Sequence, residues 1–214
     1  MQLAQDPHEQ FDVVTEQGEP TGIVKTRAEV HRDGDWHRAI HVWFYGVDAH
    51  GGFLLMNQRG RFKDTWPLAL DATVGGHLGA GETIEDAFRE VREEIGVNID
   101  PVRFEHLFRR ARSSDGLVPG VLDRELQEIY LVRDDRPFTA YAPHPAELEG
   151  LVKVAVTAAG PLFRGEVASV NGEMLSAGDG VVRPHTLTTE QLLVRGADTY
   201  FIDVISAIEQ RLRG

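Results

Sequence analysis

The sequence predicts an α+β fold, and two kinds of local pattern carry that prediction. Strand-like runs rich in β-branched and aromatic residues occupy residues 39–47 and 125–132. Runs with apolar residues at helical spacing occupy residues 83–95 and 198–212. Because strands and helices do not alternate regularly along the 214 residues, the α+β class fits better than a regular βαβ array.

The amino-terminal part of the chain is predicted to be built of hairpins. Turn-forming residues separate short apolar runs there, and a threonine stands where a helix would begin. Residues 58–83 hold many Gly, Pro and polar residues, so we expect mostly loop. The predicted elements are a hairpin of residues 11–14 and 23–24, a helix from Thr26 through Val30, and a hairpin of residues 39–47 and 52–57.

The helix predicted over residues 83–95 has a clear core-facing side. Its apolar residues fall on one stripe about 100° wide when successive residues are placed about 100° apart. Gly96 follows at the position where a helix commonly ends. The residues of the stripe are Ile84, Ala87, Phe88, Val91 and Ile95.

The carboxy-terminal part is predicted to extend the main domain. Strands are expected at residues 125–132 and 151–156, and a hairpin turn at Asn171-Gly172. The apolar face of the final helix either packs within the chain or forms a homodimer contact. We therefore divide the chain into a domain of residues 1–156 and an extension of residues 157–214, a hairpin and a helix packed on that domain.

Composition excludes several functional classes. The chain has no cysteine, so it has no disulfide scaffold, thiolate zinc site or cysteine nucleophile, and we expect a cytoplasmic protein. It lacks the apolar run of about 18 residues that spans a membrane, and it lacks a secretion signal. A net charge of −12 argues against binding to a nucleic-acid polymer or an anionic membrane. A small anionic ligand remains compatible if a cation offsets the charge locally.

Three carboxylates cluster on the helix of residues 83–95. Glu90, Glu93 and Glu94 stand at i, i+3 and i+4, so they share one side of the helix. Oxygen-only ligands of this kind suit a hard cation such as Mg²⁺ or Mn²⁺. The alternative is a solvated helix face on which Arg89 and Arg92 neutralise the glutamates.

A glycine-rich loop precedes this helix and strengthens the functional interpretation. Backbone N–H groups of such a loop can approach an anion, which suggests metal-assisted chemistry on a phosphate or a pyrophosphate. Residues 76–81 also have the GxxxxG spacing of a P-loop, but Glu82 stands where the P-loop lysine should be. The P-loop interpretation is therefore rejected.

The loop and the helix resemble the Nudix box, GX5EX7REUXEEXGU, in which U is a bulky aliphatic residue. Gly76 and Glu82 have the spacing of the box, and residues 89–97, REVREEIGV, match every fixed position. Six residues lie between Glu82 and Arg89 where the family has seven, and we place the missing one near Thr83. Residues 9–156 further resemble the Nudix branch related to type I isopentenyl-diphosphate isomerases.

This resemblance implies a fold, a cofactor and a set of site residues. The fold is the Nudix α/β/α sandwich around a mixed sheet, and the cofactor is Mg²⁺, with Mn²⁺ as a substitute. The family pairs the first glutamate of the box with its arginine, which implies a pair of Glu82 with Arg89 here. The resemblance also implies that the backbone of Gly76 forms part of the site. The carboxylates of Glu90, Glu93 and Glu94 are the implied metal ligands, and the candidate catalytic residues are Glu93, Glu94, Glu125 and Glu147.

Weaker candidates lie around the box. Two residues are candidates for contact with a substrate phosphate: His77, inside the glycine loop, and Arg59. The alternatives are that His77 is a packing residue of the loop and that Arg59 is a free surface arginine. His37 and His41 share a strand face, but no third nitrogen or sulfur ligand is spaced with them, so we interpret them as scaffold.

The resemblance implies a hydrolase rather than an isomerase, because the isomerases use a catalytic cysteine and this chain has none. Water activated by the metal would split a nucleoside diphosphate, or one linked to another group, and the partner would be a small molecule. The alternative from a different class is a catalytically weak Nudix-fold module that binds nucleotide or protein. Isoprenoid diphosphate isomerisation is the third hypothesis.

Overall fold

One sheet forms the centre of the fold in the computed structural model, which describes residues 6–63, 65–114, 120–194 and 196–213. The strands are β1 (Gln10–Val14), β2 (Pro20–Thr26), β3 (Trp36–Asp48), β4 (Gly51–Arg59), β5 (Leu70–Asp71), β6 (Val74–His77), β7 (Glu105–Ser113), β8 (Arg124–Arg133), β9 (Leu148–Ala155), β10 (Ser169–Ser176) and β11 (Val182–Thr188). The helices are α1 (Arg27–Asp33), α2 (Ile84–Ala87), α3 (Arg89–Ile95), α4 (Val156–Phe163) and α5 (Tyr200–Arg213).

The sheet is mixed, and β3 lies at its centre. Along the main path the strands run in the order β11-β10-β9-β4-β3-β1-β2. Strand β3 pairs antiparallel with β4 and β6 and parallel with β8. Strand β7 pairs with the other edge of β8. The predicted α+β class is confirmed.

Helices cover both faces of this sheet, as side-chain alternation along β3 makes clear. Val42 and Phe44 belong to a buried cluster that includes the apolar residues of α2 and α3. Trp43 and Tyr45 point to the opposite face and join a second buried cluster with α4 and α5. This arrangement is the expected α/β/α sandwich, and it leaves the carboxylates of α3 at the edge of the first cluster.

Local signals place the early elements correctly. Thr26 caps α1 through a capping box with Glu29, and Gly34 ends the helix in the left-handed region with φ 72°. Strands β1 and β2 form the first predicted hairpin, and β3 and β4 form the second.

Four elements were missed because their local signals are weak. Strands β5 and β6 lie inside the predicted loop of residues 58–83, and β6 is a VGGH segment of low strand propensity that pairing with β3 stabilises. Strand β7 has half-buried or exposed residues on both faces, so it shows no apolar alternation. Helix α4 contains Gly160 and Pro161, which disfavour a helix prediction.

The hairpin turn predicted at Asn171-Gly172 is wrong. Both residues lie inside β10, and the chain reverses between β10 and β11 instead. A Cβ atom at Gly172 would lie 2.5 Å from the backbone oxygen of Lys153 on β9. The glycine is there because two strands approach closely, not because the backbone turns.

The predicted continuous helix of residues 83–95 is also wrong, because it is interrupted at Phe88. The N–H of Phe88 donates to the oxygen of Glu85, and the N–H of Val91 donates to the oxygen of Phe88, both at 3.2 Å. These i→i+3 bonds make a turn tighter than an α-helical one. The shortened gap of the box is therefore accommodated at Phe88, whereas Thr83 is a regular N-cap with a capping box.

The extension continues the same architecture. Strand β10 pairs with β9 and so adds β10 and β11 to the sheet. Phe201, Val204, Ile205 and Ile208 bury one side of α5 within the chain. Among the described helices, none combines the length and the apolar character that crossing a bilayer requires.

Candidate active site

Strand β6 and helix α3 bring the glycine loop and the acidic helix together. A Cβ atom at Gly76 would overlap the side chain of Glu90, so glycine is needed for this close approach. Arg89 lies 3.0 Å from the carboxylate of Glu82 and 3.1 Å from that of Glu90. The ion pair that the resemblance implies is therefore present despite the shorter gap.

Two glutamates of α3 and one from the loop before β9 line a cavity of about 380 Å³, which we call the acidic cavity. They are Glu90, Glu94 and Glu147, and Lys63 pairs with Glu147 on its wall. Backbone of Gly76 and the ring of His77 line the same space. The structure thus brings together residues as distant in sequence as Lys63 and Glu147, which are 84 positions apart.

The two helix glutamates are held in an environment that disfavours their charge. Burial raises the pKa of Glu90 to about 7, with a further contribution from Glu93. Burial raises the pKa of Glu94 to about 8, with contributions from Glu90 and Glu147. One oxygen of Glu94, Oε2, is buried without a hydrogen-bond partner. A bound cation would supply both the missing partner and the missing countercharge.

Glu93 lies apart from these carboxylates. Its side chain is 48% exposed, and its nearest charged contact is Arg89 at 3.9 Å. Within the described part of the chain, it lines neither the acidic cavity nor the adjoining space. The structure therefore brings together two of the three predicted metal ligands.

A smaller space of about 70 Å³, the inner cavity, continues from the acidic cavity past Glu94 and His77. Besides Arg27, which donates to His77, two arginines on its wall have no ion-pair partner within the described ranges: the side chain of Arg59 donates only to Thr65, and the side chain of Arg112 makes no hydrogen bond there. Both guanidinium groups can therefore meet an anion. This places the predicted substrate-binding residue Arg59 in the cavity wall.

Glu125 and His77 form a buried pair on the inner cavity. The Nδ1 atom of His77 accepts from Arg27 at 3.1 Å, so the proton resides on Nε2, which donates to Glu125 at 2.9 Å. Burial and Arg27 lower the pKa of His77 to about 3, which keeps it neutral. Burial works against ionisation of Glu125, but the hydrogen bond from His77 and the nearby imidazoles of His37 and His41 outweigh it and lower its pKa.

A second group of potential metal ligands lies beside this pair. Ring nitrogens of His31, His37 and His77 lie within 4.8 Å of one another, and His37 has the same relation to Asp123 and Glu125. Nε2 of His37 and Oδ1 of Asp123 are buried without hydrogen-bond partners. Burial and neighbouring Glu125 raise the pKa of Asp123. This mixed nitrogen and oxygen set suits a transition metal better than Mg²⁺.

Sequence reasoning missed this group. The interpretation of His37 as scaffold rested on the absence of a third ligand nearby in sequence. The parallel pairing of β3 with β8 sets His37 beside Glu125, and β6 supplies His77. These residues lie in separate short segments of the sequence, and only the pairing of the strands brings them together. No local pattern in the sequence therefore indicates the group.

A larger cleft of about 660 Å³, the side cleft, opens from the inner cavity past Trp66, Arg112 and Leu193. Its lining combines apolar residues with the carboxylates of Glu190 and Asp198 and the amide of Gln191. Trp66 adopts a left-handed backbone conformation with φ 50°. The remaining residues of the cleft are Pro67, Leu68, Ala69, Ser113, Leu192 and Val194.

The fold is thus a mixed-sheet sandwich with buried carboxylates of α3 next to the glycine-rich strand β6. Comparison with known proteins identifies it: the model of the NUDIX domain matches residues 35–175. The chain belongs to the Nudix family.

The relatives of the chain are partial matches. It is 40% identical over 154 residues to Nudix hydrolase 3 of Arabidopsis thaliana, covering 70% of this chain and 18% of that protein. It is 32% identical over 118 residues to the isopentenyl-diphosphate Δ-isomerase of Escherichia coli, covering 55% of this chain and 62% of the isomerase. The chain thus spans less than two thirds of the length of these curated relatives.

Among solved structures, DR0079 from Deinococcus radiodurans has a TM-score of 0.49 and 28% sequence identity. The similarity covers 70% of this chain and 85% of that one.

Proposed function

We propose that this chain is a Mg²⁺-dependent hydrolase that cleaves the pyrophosphate bond of a nucleoside diphosphate or of a nucleoside diphosphate linked to another group. One observation carries the proposal. Glu90 and Glu94 are buried side by side, with an unpartnered Glu94 oxygen, and the wall nearby carries the arginine Arg59, which has no ion-pair partner in the described ranges. A cation and a polyanion together satisfy both sets of groups.

The proposed Mg²⁺ ligands are Glu90 and Glu94, with Glu147 across the acidic cavity and the backbone at Gly76. Glu93 stays in the proposed set on the strength of the resemblance, although its exposed side chain pairs with Arg89 outside the acidic cavity. When bound, Mg²⁺ lowers the pKa of a coordinated water and neutralises charge on the phosphate. Mn²⁺ has similar ligand preferences and is the expected substitute.

The residues of the chain itself perform the remaining tasks. Arg59 and Arg112 orient the diphosphate by charge-assisted hydrogen bonds. Glu125 is one candidate for the catalytic base, and the Nε2–H of His77 and the amide of Gln127 hold its carboxylate ionised at the expense of its basicity. Glu147 is the second candidate for that role, and it pairs with Lys63 on the wall of the acidic cavity.

We further propose that His37 is a ligand of a transition-metal ion, either with the carboxylates of Asp123 and Glu125 or with the rings of His31 and His77. The support is the convergence of ring nitrogens and carboxylates, together with the unpartnered Nε2 of His37. Metal analysis after loading with Mn²⁺ or Zn²⁺ tests it. Retention of an ion that His37→Gln abolishes is the expected result, and equal retention by that variant contradicts the proposal.

The part of the substrate beyond the diphosphate is proposed to occupy the side cleft. The aromatic face of Trp66 and the amide of Gln191 suit a planar base with hydrogen-bonding edges. Because residues 190–194 come from the extension, residues 157–214 would contribute to specificity. Trp66→Ala is expected to raise KM for a nucleoside diphosphate sugar while leaving inorganic pyrophosphate unaffected; an equal change for both contradicts the assignment.

A catalytically weak binding module is the alternative. The shorter gap of the box is the observation in its favour, but the pair of Glu82 with Arg89 is present all the same, which supports the hydrolase. Isomerase activity has no cysteine to carry it. An assay for isomerised isoprenoid diphosphate is expected to find no product.

The decisive experiment measures release of phosphate and nucleotide from nucleoside diphosphates, ADP-ribose and dinucleotides, with and without Mg²⁺ or Mn²⁺. Turnover is expected only with metal, and Glu94→Gln is expected to abolish it. Glu85→Gln is the matched control, because Glu85 is exposed on α2, one turn before the site. Retained turnover in Glu94→Gln contradicts the proposal. Ligand binding without turnover in the wild type would favour the module.

A further inference from the structure

A chain of buried hydrogen bonds joins the start of α5 to the inner cavity. The indole Nε1 of Trp43 lies 2.7 Å from the hydroxyl oxygen of Tyr200, and that oxygen lies 2.9 Å from Nδ1 of His41. Trp43 and Tyr200 are almost fully buried, and only 7% of His41 is exposed. Water is therefore excluded from the two inner links, and the protein groups must satisfy one another.

The direction of these bonds follows from the donors available. Trp43 can only donate, so the hydroxyl oxygen of Tyr200 accepts its proton. The hydroxyl has one proton of its own, and among the described residues Nδ1 of His41 is the remaining atom within reach of it. Tyr200 therefore donates to Nδ1. A neutral imidazole that accepts at Nδ1 has its proton on Nε2.

The Nε2 edge of His41 faces the inner cavity. His41 lies opposite Gly75 in the pairing of β3 with β6, and a Cβ atom at Gly75 would lie 3.7 Å from Nε2. Glycine thus leaves this edge without a covering side chain. Within the described ranges Nε2 has no hydrogen-bond partner, although the ring lines the cavity. The N–H is a donor directed at whatever occupies that space.

The charges around His41 leave it neutral. Burial lowers the pKa of the imidazole, Asp71 and Glu125 raise it, and Arg112 and Arg110 lower it. Arg110 also stacks on the ring of Tyr200 at 4.3 Å and pairs with Asp198 just before α5. These contacts hold the ring of Tyr200 in place, and the hydrogen bond between Tyr200 and His41 in turn holds the orientation of the imidazole.

We propose that His41 is a fixed neutral hydrogen-bond donor to an oxygen of the bound diphosphate, and that Trp43 and Tyr200 are positioning residues that set its tautomer. The identity of the ligand as a diphosphate rests on the proposed function, whereas the tautomer of His41 is independent of it. It gives the extension a direct task at the site, because Tyr200 belongs to residues 157–214. A neutral donor offers directional contact without adding charge or competing for the cation.

The tautomer is tested by NMR on protein labelled with heavy nitrogen in histidine. Substitution His41→Gln identifies the His41 signals among the nine histidines. The expected result is a proton on Nε2 and a hydrogen-bonded Nδ1 whose resonance moves towards that of a free ring nitrogen in Tyr200→Phe. Phe201→Leu, which removes packing at the same helix end, is expected to leave the resonance unchanged. A proton on Nδ1 of His41 in the wild type overturns the proposed hydrogen bond from Tyr200 to that atom.

The donor role is tested by titration with inorganic pyrophosphate and by turnover. His41→Phe, which fills the site but cannot donate, is expected to weaken pyrophosphate binding by about tenfold or more, the value of a hydrogen bond to a charged acceptor. His41→Gln, which retains an N–H donor, is expected to recover most of that loss. Equal binding by the wild type and His41→Phe overturns the donor role.

The two proposals fail separately. If the wild type turns over no diphosphate, the proposed function fails, while the tautomer and the pyrophosphate titration still report on His41. If turnover is found and His41→Phe retains it in full, the donor role fails and the hydrolase stands.

Discussion

Replacing Glu94 by glutamine is expected to stabilise the protein when no metal is bound, although it removes a proposed ligand. The pKa of Glu94 is about 8 in the fold against its ordinary value of 4.5, because burial and nearby carboxylates disfavour the charge. Between these values the folded chain holds a proton that the unfolded chain has released. Stability from this group is therefore complete below the ordinary pKa and is lost as the pH rises through the folded pKa.

The magnitude follows from that difference. Near pH 7 the raised pKa of Glu94 lowers the free energy of unfolding of the wild type by up to about 3 kcal/mol, since each pKa unit corresponds to about 1.4 kcal/mol. Glutamine has the same shape and no charge, so Glu94→Gln avoids this cost. The gain is an upper value, because the buried amide must also be desolvated.

Urea denaturation in the presence of a chelator, repeated across the pH range, measures this effect. The variant is expected to exceed the wild type in free energy of unfolding near neutral pH and to match it near the ordinary pKa of glutamate. Added Mg²⁺ should stabilise the wild type and not the variant. A pH-independent difference, or equal stabilisation of both proteins by Mg²⁺, would refute the reasoning about Glu94.

Three further changes have expected outcomes. Gly76→Ala should lower the melting temperature and weaken Mg²⁺ binding because its Cβ overlaps Glu90; Gly178→Ala is the control, since its Cβ meets only an ordinary contact at 3.7 Å. Thr83→Ala removes a capping box and should cost about 1 kcal/mol in chemical denaturation. Arg112→Gln should raise KM at constant stability, because Arg112 makes no ion pair in the described chain; a lowered melting temperature would contradict this.

Local chemistry made much of the fold predictable. The capping box at Thr26, the apolar stripe around Val91 and the strand rich in aromatic residues ahead of Val47 each depend on neighbours in sequence. Such signals depend on contacts within one element, so packing against the rest of the fold does not change them. The cluster of glutamates on α3 was predictable for the same reason.

Features that depend on distant pairing were not predictable in this way. Strand β6 is glycine-rich and forms because β3 lies beside it, and Gly172 marks a close approach of β9 rather than a turn. Tyr200 and His41 lie 159 positions apart. No local pattern connects them, and the same holds for the histidine and carboxylate group, which four separate segments supply.

Phosphorus NMR of the reaction in water labelled with heavy oxygen tests the central claim most directly. With Mg²⁺ present, we expect a nucleoside diphosphate or ADP-ribose to give two phosphoryl products, one of which carries the heavy oxygen. Glu85→Gln should give the same spectrum, and Glu94→Gln should leave the diphosphate intact. An unchanged diphosphate in the wild type, across the panel and with either metal, would contradict the account of this site as a hydrolase.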